Sequence, residues 1–281
     1  MTYRSLTVLL DDDPSCPART ELAIRIAKGF DCHLVGLAPT GLIDIPLRAE
    51  ATGSLPEYAA RAWADLEERA QQCALRFAAA CSDVGFKSFE SVVDRCETSK
   101  SLLRHAQCSD FLVLSQADPR RSDHRAMRDM VERVVLISPR PTLVLPYTGG
   151  FEAVGSRVMV AWDDSREAAR ALSDAMPLLL CAKRVDIEAW NETPDDGATD
   201  ALRRRLDELH RWLMWHGVSA HLRLETTTIG IAAAMLSRAA DLGSDLIVMG
   251  AYGHARWAER VLGGATRGLL ESMTVPVLMS H

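Results

Sequence analysis

The chain has 281 residues, a net charge of −6, 48% apolar residues and 25% charged ones. That length exceeds an average single domain, and the composition is that of a folded globular protein rather than a disordered or fibrous one. The negative balance, with no basic stripe carrying interleaved aromatics, gives no electrostatic reason for a nucleic-acid or anionic-membrane partner.

No run approaches the roughly 20 apolar residues of a membrane span. The opening MTYRSLTVLLDDD has too short an apolar core for a signal peptide. The seven cysteines form no CxxC and no Cys/His spacing suited to zinc, which points to reduced thiols and a cytoplasmic chain.

Ser5–Leu10 reads as a first strand ending in Asp11-Asp12-Asp13-Pro14-Ser15, and Pro17 fits the first turn of the helix that follows. The three aspartates read as surface charge at a strand end. Cys32–Leu37 reads as strand two. A loop rich in Pro, Gly and Thr leads to a long amphipathic helix from Glu57 to about Asp83. Lys87–Val93 is strand three, Thr98 caps a helix through Ala106, and Phe111–Leu114 is strand four. Met127–Ile137 is helical, and Pro141 opens strand five, where its missing N–H does least harm.

Thr148–Ser156, with Gly149, Gly150 and Gly155, reads as a linker, and then the pattern restarts. Arg157–Ala161 is a strand, Arg166–Leu180 a helix, Val185–Trp190 a strand and Asp200–Trp215 a helix. Ala220–Glu225 is a strand and Ile229–Ala240 a helix. The closing stretch Asp245–His281 has an apolar strand, Leu246–Met249, then Gly250, Gly253 and a Gly263-Gly264 pair. A helix, Ala265–Met273, and a strand opened by Pro276 complete it. Strands alternating with helices predict a parallel α/β sheet.

Asp110–Pro146 lies on Asp245–His281 without gaps, matching Asp110 to Asp245, Val113 to Val248 and Pro141 to Pro276. Asp13-Pro14-Ser15 and Asp163-Asp164-Ser165 correspond at the end of each first strand. The expectation is two repeated domains, residues 1–147 and 157–281, joined by a linker at 148–156.

A strand, a glycine-punctuated loop and a helix N-terminus form a common solution for holding phosphate. Glycines let the backbone approach, and unpaired amides at the helix start point at the anion. The glycines could also serve tight turns and close helix–sheet packing, with phosphate binding the favoured reading, and Asp163 could equally cap the helix after it. His254, Arg256, Arg260 and Arg267 lie in or just after the loop, where a cation would meet phosphate oxygens. Arg267, in the helix's first turn, is the favoured one. Trp190 ends a strand near the same crevice. No Gly-x-Ser-x-Gly elbow, HExxH or P-loop lysine is present, so catalysis finds no support beyond weak nucleotide hydrolysis.

Taken together, the halves resemble the universal stress protein family in its tandem form, over essentially the whole chain. The nucleotide-binding members carry Gly-x2-Gly-x9-Gly followed by Ser or Thr, and Gly250, Gly253 and Gly263 keep that spacing. Gly264 stands where the family has a hydroxyl, and Thr266 is the nearest replacement. Asp163 occupies the place of the acidic residue that contacts nucleotide.

The resemblance implies two doubly wound domains, each a five-stranded parallel sheet with helices on both faces, of the adenine nucleotide alpha hydrolase-like type. It also implies ATP, with Mg, as ligand of Asp163, Gly250, Gly253, Gly263, Gly264 and Thr266. The two domains would pair internally through their fifth strands, with further homo-oligomers open. The implied role is a cytoplasmic stress-response or regulatory protein; a partner-binding module without nucleotide and a slow ATPase are the alternatives. In the first half the aligned positions are Ser115, Asp118, Arg128 and Asp129, so that site is expected to be lost.

Overall fold

The computed structural model describes residues 2–41, 55–191, 196–253 and 264–281. The chain divides into two compact units, Tyr3–Ser115 and Gln116–His281, the latter together with Met1–Thr2.

The unit Tyr3–Ser115 contains β1 (Ser5–Leu9), α1 (Cys16–Phe30), β2 (His33–Pro39), α2 (Leu55–Asp83), β3 (Phe89–Asp94), α3 (Thr98–Ala106) and β4 (Phe111–Ser115). The strands run parallel in the order β3-β2-β1-β4. Strands β1 and β4 are almost wholly buried, which is why they read as unbroken apolar runs rather than alternating ones. Helix α3 is capped differently from the expectation. The Glu97 carboxylate accepts the amides of Ser99 and Lys100, and Thr98 is the first helical residue. The longer carboxylate reaches two free amides at once.

One arginine departs from its usual place. Arg19 of α1 is 1% exposed and donates to Leu9 O at 2.8 Å, Ser115 Oγ at 2.7 Å and Asp11 Oδ1 at 2.6 Å. Its guanidinium thus joins the carboxyl ends of β1 and β4. Asp11 is its counter-charge, not simple surface charge.

The unit Gln116–His281 begins with α4 (His124–Ile137) and β5 (Thr142–Leu145). It continues with β6 (Arg157–Ala161), α5 (Arg166–Asp174), α6 (Met176–Cys181), β7 (Arg184–Asn191), α7 (Asp196–Trp215) and β8 (His221–Thr226). Helix α8 (Ile231–Leu242), β9 (Leu246–Gly250), α9 (Gly264–Ser272) and β10 (Val277–Ser280) complete it. The strand order is β5-β10-β9-β6-β7-β8. All neighbours within β10-β9-β6-β7-β8 are parallel, whereas β5 meets β10 antiparallel, Leu143 opposite Leu278 and Val144 opposite Val277.

The order β3-β2-β1-β4 of the first unit recurs as β8-β7-β6-β9 in the second, so the α/β class and the doubly wound repeat hold. The matched aspartates repeat at the atomic level too. Asp110 accepts the amides of Arg4 and Ser5 at the start of β1. Asp245 accepts those of Gly155, Ser156 and Arg157 at the start of β6. The predicted helix Arg166–Leu180 is two helices, α5 and α6, with Ala175 between them. Pro177 cannot donate to the ladder, and a proline is tolerated only in a helix's first turn, so α6 starts afresh there.

A core of Met159, Met235, Ile247, Met249, Leu269, Val277 and Met279 packs β6, β9 and β10 against α8 and α9. In each unit the strand order reverses between the first and fourth strands, β1 and β4 or β6 and β9. At such a point connections leave the sheet in opposite directions and a crevice opens beyond the carboxyl ends.

Candidate functional site: a cleft beyond β6 and β9

Strand β6 ends at Ala161. The Trp162 amide still donates to Glu188 O at 2.9 Å, and then the chain turns away. Asp163 Oδ1 accepts from the Ser165 amide at 3.1 Å and from its hydroxyl at 2.5 Å. The Ser165 Oγ in turn accepts the Ala168 amide at 3.1 Å, so Ser165 is the N-cap of α5. Asp163 orients the cap rather than capping the helix itself. Glu167 follows in the first turn, buried and paired with Arg166 at 2.7 Å. Burial works against its charge, but its own amide and the Arg166 guanidinium outweigh that and hold the carboxyl below the usual range.

Strand β9 ends on Gly250, and here the glycine has a packing reason. A Cβ at this position would sit 2.5 Å from the Ala168 nitrogen and 2.6 Å from the Glu167 carbonyl carbon. The first turn of α5 therefore rests directly on the backbone of β9. At Gly253 an added Cβ would come within 3.0 Å of Glu167 Oε2 and Ser165 Oγ. Between them Tyr252 adopts φ 59°, a left-handed conformation, and its amide donates to Thr266 Oγ1 at 3.1 Å. Thr266 thus fastens the loop to α9. His281 Nδ1 meets Ala251 O at 2.9 Å, and the Ala251 amide donates to Ser280 O, which fastens the same loop to β10.

Gly264 is the first residue of α9, and among the described residues nothing stands within 4 Å of where its Cβ would be. Gly264 is also one of the residues lining a cleft of about 1330 Å³. Asp163, Gly250, Gly253, Gly264 and Thr266 all line it, so five of the six expected site residues come together. The sixth, Gly263, lies outside the described residues with His254, Arg256 and Arg260. Trp190, Asn191, Ile231, Met235 and Met249 form much of the rest of the wall. Among the described lining side chains, Asp163 is the one charged group. Arg267 is turned to Glu271 at 3.3 Å and is not among the lining residues.

The residues missed by pattern reading are Tyr252, Met235 and Met249. Nothing in their spacing separates a cleft wall from ordinary core. Period-two alternation does place Met249 on the α8–α9 face with Ile247.

In the first half, Ser115 is taken by Arg19 and Asp118 by Arg120 at 2.8 Å. Arg128 and Asp129, aligned with Gly263 and Gly264, lie a full turn inside α4. Their amides belong to the helical ladder, so none is available for an anion.

Among described residues, no helix is long and apolar enough to cross a membrane and no group of three or more His, Cys, Asp or Glu is placed to hold a metal. Residues 156–281 match the model of the universal stress protein family. The whole chain is similar in structure to a universal stress protein from Archaeoglobus fulgidus DSM 4304. The TM-score is 0.71 at 17% identity, covering 99% of this chain and 96% of that one. It is also similar to a proposed universal stress protein from Pseudomonas aeruginosa UCBPP-PA14, with TM-score 0.60, 15% identity and coverage of 99% and 93%. At such identities the likeness speaks for the fold alone. No curated protein matches the chain in sequence. Residues 156–281 are thus similar to the universal stress protein family, and the fold of the whole chain is that of the solved structures just named.

Proposed function

We propose that the chain is a cytoplasmic stress-response or regulatory protein that binds ATP, or a related nucleotide, in the cleft beyond β6 and β9. The observation that carries this reading is the convergence of Asp163, Gly250, Gly253, Gly264 and Thr266 on one cleft at a topological switch point. The first residue of α9 lines this cleft, and the free amides of a helix start attract an anion. Gly263, outside the described residues, is the sixth proposed ligand, and ATP would arrive with Mg. The repeat boundaries are residues 1–147 and 157–281 with a linker at 148–156. The antiparallel contact of β5 with β10 supports an internal pairing of the two repeats through their fifth strands. Protein denatured after purification and analysed by mass spectrometry should release a nucleotide. Titration calorimetry with ATP–Mg on nucleotide-free protein should give heat, and a folded sample giving none would sink the reading.

A second reading keeps the fold without nucleotide, as a partner-binding module. It is favoured by the wall itself, whose one charge among the described residues is the carboxylate of Asp163. Purified protein without adenine absorbance after denaturation supports it.

A further inference from the structure

Among the described residues Trp162, Trp190 and Tyr252 line the cleft; Trp162 and Tyr252 are buried, whereas Trp190 is half-buried and its placement follows from register. In β7 the side chains of Asp186, Glu188 and Trp190 share a face, because successive residues alternate. The face is fixed by Glu188, which is 1% exposed and pairs with Arg238 of α8 at 3.0 Å. Trp190 therefore lies on the α8 side, two residues nearer the carboxyl end. It packs against the core that holds Met235, one turn before Arg238 on α8, and it is half-buried.

Strand β7 also outruns its neighbour. The last β6 residue, Ala161, is opposite Glu188, while Trp190 is opposite Glu225 of β8 and Asn191 opposite Thr226. On its β6 flank Trp190 thus overhangs the crevice with no strand beside it, and it lines the cleft with Asp163 and Asn191. An indole anchored from beneath by packing and open at a ligand cleft is a stacking surface. Base–aromatic stacking suits any planar heteroaromatic ring and needs no charge, in keeping with a wall whose one charge among the described residues is Asp163.

We infer that Trp190 is the aromatic platform of this cleft, on which the planar ring of a nucleoside or nucleotide stacks, so that the base rather than the phosphates dominates recognition. This rests on the nucleotide reading above and specifies what that reading leaves open. Binding of ATP and of adenosine is to be measured by calorimetry for wild type, Trp190→Ala and Trp190→Phe. Trp190→Ala should weaken both ligands alike by about tenfold or more, and Trp190→Phe should stay within about threefold of wild type. A Trp190→Ala protein that binds both as wild type does overturns the platform and leaves the nucleotide reading standing. Wild type that binds neither ligand overturns both. Should Trp190→Ala not fold, tryptophan emission decides. ATP should quench wild type, and Trp190→Phe, in which Trp162 remains at the cleft, should lose most of that quenching; quenching as large as in wild type overturns the inference.

Discussion

Gly250 and Gly264 belong to one sequence pattern but answer to different constraints. At Gly250 a methyl group would collide with the backbone of α5, so Gly250→Ala should lower the unfolding free energy by about 1–3 kcal/mol in denaturant titration. At Gly264 there is open space among the described residues, so Gly264→Ala should change it by less than about 1 kcal/mol, towards stability. Equal effects at the two sites would refute this division. Sequence spacing alone could not separate them, because it reports where glycines fall and not what lies 3 Å away. Asp174 offers a test by pH. Burial raises its pKa, against the Ser280 hydroxyl and Arg170, which oppose the rise. The folded chain therefore holds this proton more tightly than the unfolded one, and stability is lost as pH rises from the ordinary carboxylate value of about 4 through the folded value. Asp174→Asn cannot ionise, so its stability relative to wild type should grow in its favour from pH 4 to pH 7. A difference independent of pH would refute the assignment. Arg19 was the least legible residue. An arginine on a helix reads as solvated, and its three acceptors come from β1, β4 and the turn between β1 and α1, which no local pattern links.

At the scale of elements, the buried strands were the most legible because burial on both faces leaves an unbroken apolar signature, as in β4 and β9. Helix starts were the least legible. Helix α4 begins at His124 rather than Met127, and its first turn is too polar to carry an apolar period. The break at Ala175 had its signal in Pro177, but the apolar residues after it continued the helical rhythm and masked it. The cap of α5 is a clean test of one element. Ser165→Ala removes the acceptor of the Ala168 amide and the donor to Asp163, and should cost about 0.5–2 kcal/mol in thermal or chemical unfolding. The β5–β10 contact is another. Leu278 is fully buried opposite Leu143, and Leu278→Ala should cost about 2–5 kcal/mol in the same measurement.

For the molecule as a whole, the repeat was legible from the matched order of strands, helices and strand-initial prolines, and its deepest trace is the paired work of Asp110 and Asp245. The thiols behave as a chain-wide property. Among the described residues all seven cysteines are free; Cys32, Cys73 and Cys81 are buried, and Cys108 and Cys181 are exposed. Burial pushes the Cys32 and Cys81 thiols up to about 11, far from the thiolate needed for reaction. Native protein treated with a thiol reagent should label Cys108 and Cys181 quickly, and the three buried thiols only after denaturant is added. Rapid labelling of Cys32 or Cys81 in folded protein would contradict this.

The position shared by Ser115 and Gly250 bears on how two copies of one fold drift apart. In the first copy a serine hydroxyl there takes the guanidinium of a buried arginine, and in the second a bare backbone takes the weight of a helix. A serine introduced at 250 would strike α5 before any arginine arrived to use it, and an arginine buried first would have no hydroxyl to meet. The order of substitutions is thereby constrained. A side chain at 250 and an unpaired buried arginine each lower stability taken alone, so the two arrangements do not interconvert by one substitution.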